Sequence, residues 1–155
     1  MLDGKRDGLG LAYCTTNDGS FWLFECEWKR GHPVHKGRYI KIHDDKWFSF
    51  QGTMGDSYLL TGSGSMHNQE GHSYTGKFLN GLKDGKGEYK WPKGVSYKGE
   101  YAAGLKHGKG KMTFKDGSTQ KGVWDSDVQI ESGEIKAQKV RKLGSLRKKG
   151  ILRYY

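Results

Sequence analysis

The six histidines are the first residues in this 155-residue chain that could do chemistry, since imidazole binds metal ions and transfers protons near neutral pH. His32 and His35 could hold a metal ion between them, but no cysteine or carboxylate completes the site at a usual ligand spacing. Neither paired carboxylates nor a nucleophile beside a base forms a recognisable catalytic pattern. We therefore predict no metal site, no cofactor and no enzymatic activity, and interpret His32 and His35 as loop residues.

Two glycine triplets, at residues 8–10 (GLG) and 85–87 (GKG), contain fragments of a phosphate-binding pattern. Such patterns join a strand to a helix, whereas both triplets precede segments with the alternation of a strand. We interpret them as glycines of hairpin loops, which argues against a dinucleotide or phosphate site. Residues 43–45 (HDD) are interpreted as part of a long solvated turn.

Lysine is the second chemical signal, because the formal net charge of the chain is +10. Residues 74–122 hold eleven lysines and four acids, which gives +7, and residues 136–155 hold eight Lys or Arg and no acid, which gives +8; the rest sums to −5. In 74–122 the lysines alternate with rings and glycines, which predicts a basic stripe on one face of a sheet. The candidate residues for contact with an anionic surface are Lys86, Lys90, Lys98, Lys109, Lys111, Lys121, Lys139, Arg141, Lys142, Arg147, Lys148 and Lys149.

Several partners would suit such a stripe. Anionic lipid or an acidic protein would be attracted to it, and each basic residue close to an anionic membrane adds about 1 kcal/mol. Solubility and protection of sheet edges account for surface lysines equally well. Nucleic acid is disfavoured, because the rings that would stack on bases occupy structural positions in the pattern described next.

An internal repeat supplies the elements that position these side chains. The sequence read from Tyr74 recurs from Tyr97, 23 residues later, and a third copy starts at Gln120. Nine positions match between the first two copies, namely Tyr74, Gly76, Phe78, Gly81, Gly85, Gly87, Tyr89, Trp91 and Gly94 with Tyr97, Gly99, Tyr101, Gly104, Gly108, Gly110, Met112, Phe114 and Gly117. A period of this length predicts an array in which each unit needs its neighbours to bury its apolar face.

Each repeat unit has the pattern of a β-hairpin. Tyr74, Gly76 and Phe78 are two residues apart and would share one face of a strand, and Tyr89 and Trp91 would do so on a second strand. The units would therefore form a meander in which each strand is antiparallel to the next. The expected fold class is all-β: an elongated single-layer antiparallel sheet of stacked hairpins.

The links between the strands are rich in turn-forming residues. Residues 80–87 (NGLKDGKG) are expected to form the hairpin loop, and residues 92–96 (PKGVS) a second short turn. Gly76 and Gly99 lie between aromatic neighbours on one face, and we expect a ring from the adjacent strand to lie flat on the backbone at each.

The pattern Y-x-G-x-[FY]-x-x-G-x-x-x-G-x-G over residues 74–122 resembles the membrane occupation and recognition nexus (MORN) repeat. This resemblance implies a twisted single-layer sheet with an aromatic groove. It also implies a scaffold or interaction module, sometimes membrane-associated, and often attached to another domain.

The rest of the chain is expected to extend the array. Residues 4–73 read as degenerate units and residues 120–137 as a fading last unit, so that the array covers 1–135. The segment 136–155 is expected to be a basic C-terminal tail or short helix.

Composition agrees with a thin sheet, because apolar residues make up only 34% of the chain while aromatic residues reach 13%. Cys14 and Cys26 do not make a disulfide framework and are expected to be structural thiols. No apolar run approaches the ~20 residues that span a bilayer, and no secretory signal is evident. An intracellular protein, soluble or peripheral to a membrane, is expected.

These observations favour a non-catalytic scaffold that binds a protein partner along its aromatic face or at its ends. The candidate contact residues are Tyr74, Phe78, Tyr89, Trp91, Tyr97, Tyr101, Phe114 and Trp124. One alternative is a peripheral membrane adaptor that binds anionic lipid through the stripe and tail. Another is an accessory subunit of a multisubunit complex or virus particle. No small-molecule substrate is expected.

Overall fold

The computed structural model describes residues 3–55 and 57–130, which form one open antiparallel sheet of eleven strands. The order of strands in the sheet is their order in the chain, so the predicted all-β array of hairpins is confirmed. The strands are β1 Gly8–Thr15, β2 Phe21–Lys29, β3 His32–His43, β4 Lys46–Met54, β5 Leu60–Asn68, β6 Ser73–Leu79, β7 Leu82–Lys90, β8 Ser96–Ala102, β9 Leu105–Thr113, β10 Thr119–Asp125 and β11 Val128–Ile130. A turn of 3₁₀ helix, Pro92–Gly94, forms the predicted short link between β7 and β8.

Two-residue turns with positive φ close five of the ten hairpins in the described sheet. Between β6 and β7 the turn is Asn80–Gly81, with φ of 48° and 80°. This geometry matches the right-handed twist of the flanking strands, which is why Asn-Gly favours it. The predicted loop over residues 80–87 is therefore wrong: β7 begins at Leu82, and Gly85 and Gly87 lie inside the strand.

The same correction applies at three other places. Gly8 and Gly10 belong to strand β1 and not to a hairpin loop. His32 and His35, expected in a loop, lie in strand β3. The turn at His43 is short as well, because β3 continues to His43, Asp44 and Asp45 both have positive φ, and β4 starts at the next residue. Strand β3 is twelve residues long, and the turn that follows it is tight.

Alternation along the strands divides the sheet into two faces. The ring face carries the core residues Phe24, Tyr39, Tyr74 and Tyr97, and the open face carries side chains of opposite parity. We expected rings from adjacent strands to cover Gly76 and Gly99. Instead the ring comes from the same strand as the glycine, and it also covers the glycine paired opposite on the next strand.

The boundaries of the sequence units stay predictions, since 1–135 and 136–155 include residues outside the described part of the chain. The basic tail lies entirely outside it, together with its candidate contact residues Lys139, Arg141, Lys142, Arg147, Lys148 and Lys149.

Candidate functional site

The aromatic residues predicted to contact a partner fall into two groups. Five of them are core side chains with 4% or less of their surface exposed: Tyr74, Phe78, Tyr97, Tyr101 and Trp124. Tyr89 and Trp91 are half-buried, and Phe114 is exposed. The first group holds the sheet together, and partner contact by any of the eight stays a prediction.

The buried rings form a ladder that links successive units. Tyr101 meets Tyr74 edge-on with ring centroids 5.2 Å apart, and meets Tyr97 in the same way at 5.4 Å. Tyr97 in turn meets Trp124 at 5.0 Å. Edge-to-face pairs are worth about 0.5–1.5 kcal/mol each beyond the area they bury. Each unit is therefore stabilised by the rings of the next, as the repeat period predicted.

Two lysines point onto the ring face, and the sequence analysis did not single them out. Lys83 places its Nζ 4.6 Å from the centroid of the Tyr89 ring and 5.1 Å from that of Tyr101. Burial lowers the pKa of Lys83, against the opposing effect of the Asp127 carboxylate. Cation–π contacts of this kind compensate part of the cost of burying the charge.

The equivalent residue in the next unit is Lys106. Its Nζ lies 5.7 Å from the Trp91 ring centroid and 3.8 Å from the Asp127 carboxylate. The sequence does contain a signal for both residues. Lys83 and Lys106 are 23 residues apart, each directly follows a Gly-Leu pair, and each lies an even number of residues before the repeat position that Tyr89 occupies, which places it on the ring face. These lysines lie over the rings of the ladder on the ring face and are not part of the basic stripe on the open face.

A hollow of about 340 Å³ opens on the ring face at the β1 end. In the sequence alignment of the units, Ala12 and Cys14 of β1 stand where Tyr89 and Trp91 stand in the regular unit. The hollow is thus a space where two rings are replaced by small side chains. Its walls include Trp22, Phe24, Trp28 and Tyr58.

Two polar groups stand at this hollow. Nε1 of Trp22 is buried and has no hydrogen-bond acceptor among the described residues. At the rim, the Arg6 guanidinium lies 5.0 Å from the Trp28 ring centroid. A ligand here would meet aromatic walls and a positive charge, while the Trp22 donor is covered.

The structure places six of the predicted lysines on the open face, and all six side chains are exposed: Lys86, Lys90, Lys98, Lys109, Lys111 and Lys121. Acidic residues partly offset this stripe at β7 and β8, where Glu88 stands opposite Lys98 and Glu100 opposite Lys86. A shallow groove of about 530 Å³ runs between them. Contact of these lysines with an anionic surface stays a prediction.

A pair of buried tyrosines gives a first testable prediction. The Tyr101 hydroxyl is buried without a hydrogen-bond partner in the described part of the chain, whereas the Tyr74 hydroxyl donates to the Lys77 carbonyl oxygen at 2.9 Å. We expect Tyr101→Phe to leave the free energy of unfolding unchanged or raise it by up to about 1 kcal/mol, and Tyr74→Phe to lower it by about 1 kcal/mol. Urea denaturation followed by tryptophan fluorescence measures both; equal losses would contradict the assignment.

Within residues 3–55 and 57–130, no group of three or more His, Cys, Asp and Glu side chains could hold a metal ion. No helix in this part is long and apolar enough to cross a membrane. Cys14 is exposed, Cys26 is buried, and both are free thiols.

Comparison with known proteins identifies the repeat. A family model described as the MORN repeat matches residues 74–96 and again residues 97–119, with the period read from the sequence. No curated protein matches the chain. The MORN repeat is a non-catalytic repeat type that is generally associated with protein or membrane interactions. Two MORN repeats therefore lie side by side in the sheet of this chain, over residues 74–119.

Proposed function

We propose that this protein is a non-catalytic interaction module whose partner is a protein that inserts aromatic side chains into the hollow at the β1 end. The observation that carries the proposal is the replacement of two rings by Ala12 and Cys14, which leaves about 340 Å³ open between aromatic walls. A partner's rings would restore the packing that Tyr89 and Trp91 supply elsewhere in the array.

The chemistry of the hollow favours a protein side chain as the ligand. Aromatic side chains dominate the binding energy of protein interfaces because they bury a large area with little loss of rotamer freedom. The walls formed by Trp22 and Trp28 allow edge-to-face contacts with a partner's rings. An intracellular setting belongs to this proposal, since an exposed free thiol such as Cys14 persists in a reducing compartment.

Filling the hollow tests the proposal. The double variant Ala12→Tyr/Cys14→Trp installs the residues of the regular unit, so we expect the sheet to fold normally while the hollow closes. Partner binding should fall roughly thirtyfold, the loss of a contact of about 2 kcal/mol. Cross-linking in native extract with quantitative mass spectrometry names the partner, and titration with the purified partner measures the loss.

A matched control lies at the other end of the array. Met112→Tyr/Phe114→Trp introduces the same two residues at the equivalent positions of a regular unit, away from the hollow. This control should bind the partner as the wild type does. If the Ala12/Cys14 variant keeps full affinity while its melting temperature shows it to be folded, the hollow is not the docking site.

The exposed lysines support a second candidate function, that of a peripheral adaptor on anionic lipid. Six of them share the open face, and the sequence adds eight Lys or Arg in residues 136–155. Co-sedimentation with phosphatidylserine vesicles tests this candidate. Binding that is lost when residues 136–155 are deleted would support it, and absence of binding by the full chain would exclude it.

A further inference from the structure

An apolar patch lies on the open face, at the opposite end from the lysines. Tyr13 of β1 pairs with Leu23 of β2, and Leu23 pairs with Ile40 of β3, so these three residues form one row across the strands. A second row runs from Phe21 through Ile42 to Trp47. We call these six residues the apolar patch: Tyr13, Phe21, Leu23, Ile40, Ile42 and Trp47.

Much of this patch is accessible to solvent. The exposed fraction is 74% for Tyr13, 40% for Ile42 and 36% for Trp47. Tyr13 stacks on Phe21 with ring centroids 6.1 Å apart, which makes the surface continuous between neighbouring rows. Contiguous exposed apolar surface on a protein commonly marks an interaction site.

At the other end of the same face, three lysines stand directly opposite one another. Lys98 of β8 pairs with Lys111 of β9, and Lys111 pairs with Lys121 of β10. We call these three residues the lysine row. Like charges at directly opposed positions of an antiparallel sheet repel and destabilise it. The repulsion would be relieved by carboxylates placed over the row, so the row is complementary in charge to an acidic ligand.

Uncharged polar side chains cover part of the surface between the two areas. Gln51 of β4 pairs with Ser65 of β5, and Ser65 pairs with Thr75 of β6. Thr75 in turn pairs with Glu88 of β7, which stands opposite Lys98. The patch centres between β2 and β3 and the lysine row on β9, so at ~4.8 Å per strand the centres are about 30 Å apart. An extended chain of about ten residues covers this distance.

A flexible protein segment fits this arrangement better than a flat bilayer does. Neighbouring strands are usually rotated by roughly 20–25°, so two areas six strands apart face different directions and a plane would contact only one of them. Glu88 and Glu100 also interrupt the positive charge and would face the lipid head groups. A peptide can follow the twist, and an uncharged polar residue of it can pass over Glu88.

We propose that the open face binds a protein segment that carries apolar side chains at one end and a cluster of carboxylates at the other, about 30 Å away. The apolar end packs on the patch, and the carboxylates pair with the lysine row. This site lies on the face opposite the hollow, and Tyr13 is the patch residue that also borders the hollow, so binding at either site can exist without the other.

The repulsion within the lysine row gives a stability prediction. Lys111→Glu places a carboxylate between Lys98 and Lys121 and should raise the melting temperature by roughly 2–4 °C at low salt. Salt should raise the melting temperature of the wild type more than that of the variant, because it screens the repulsion. The control Lys115→Glu changes the same charge in a turn between β9 and β10 and should shift the melting temperature by less than about 1 °C.

The binding test uses fluorescein-labelled peptides of about twelve residues, the length set by the strand spacing. Tryptophan and leucine stand at one end and a run of glutamates at the other, in both chain directions. Fluorescence anisotropy with the full chain should show binding that weakens at least about tenfold in Lys111→Glu/Lys121→Glu and in Ile42→Thr/Trp47→Thr. Lys115→Glu should bind the peptide normally, and so should Ala12→Tyr/Cys14→Trp, which separates this site from the hollow.

Three results would overturn the proposal. The first is that neither peptide distinguishes the wild type from Lys111→Glu/Lys121→Glu. The second is that a peptide with serine in place of tryptophan and leucine binds equally well, which removes the role of the patch. The third is that phosphatidylserine vesicles bind through the same lysines while the peptides do not, which makes lipid the ligand.

Discussion

Replacing Gly87 with alanine is expected to lower the free energy of unfolding by about 3 kcal/mol, because the new methyl group would collide with a buried ring. A Cβ atom at this position would lie 2.5 Å from both Cε2 and Cζ of Tyr74. Tyr74 is buried, and its hydroxyl is tied to the Lys77 carbonyl oxygen, so the ring cannot move aside without breaking the ladder to Tyr101. Urea denaturation measures the loss.

Gly10 provides a matched control for this substitution. It occupies the same repeat position as Gly87, but a Cβ atom there would lie 3.6 Å from the Trp28 ring, an ordinary van der Waals distance. Gly10→Ala should therefore change stability by no more than about 0.5 kcal/mol. A similar loss of stability in both variants would mean that this position needs the backbone conformation of glycine, and that a collision with the tyrosine ring is not the cause.

Raising the pH from 9 to 11 should destabilise the protein by about 5 kcal/mol through its buried tyrosines. Burial raises the pKa of Tyr74 and of Tyr97 to about 12, and raises the pKa of Tyr39 and of Tyr101 well above the ordinary value near 10. Below pH 10 the hydroxyls are neutral in both states. Above it the unfolded chain ionises first, and each tyrosine then costs about 1.4 kcal/mol per pH unit.

Urea denaturation at a series of pH values measures this slope, and the near-ultraviolet absorbance of tyrosinate should appear together with unfolding. Lys83, whose pKa burial lowers, acts in the opposite direction, but burial also raises the pKa of Tyr89 and of Cys26, and these two groups add to the effect of the four tyrosines. Tyr101→Phe removes one of the four and should flatten the slope by about a quarter. Equal stability at pH 9 and pH 11 would contradict the burial of the hydroxyls.

The hairpin array could be predicted from the sequence because local signals agree with one another. The spacing of Tyr74, Gly76 and Phe78 predicts a strand, and the same spacing returns at Tyr97. The length of the turn does not follow from composition alone. Asn80–Gly81 is a strong signal for a two-residue turn, but Gly85 and Gly87 are also typical loop residues, so the sequence suggests a longer loop. Gly87 lies in the strand because a tyrosine ring covers it, and that packing depends on the register between strands.

The hollow could be predicted only in part. Alignment of the units shows small residues at positions 12 and 14, and this part of the hollow can be read from the local sequence. The rest depends on long-range contacts: Tyr58, in the link between β4 and β5, packs on Phe24 and Trp28 and forms one wall of the hollow. Contacts between residues about thirty positions apart in sequence follow from the path of the loop, and neither composition nor periodicity indicates that path.

The order of the strands has a consequence for how the molecule would respond to force. Each strand is hydrogen-bonded to the strands next to it in sequence, so a pull on the two ends loads the outermost strands first. Strands would then peel away singly, each at a modest tension, and each could re-anneal on the next when the load falls. If the chain were tethered at both ends, it would therefore lengthen under load in small reversible steps.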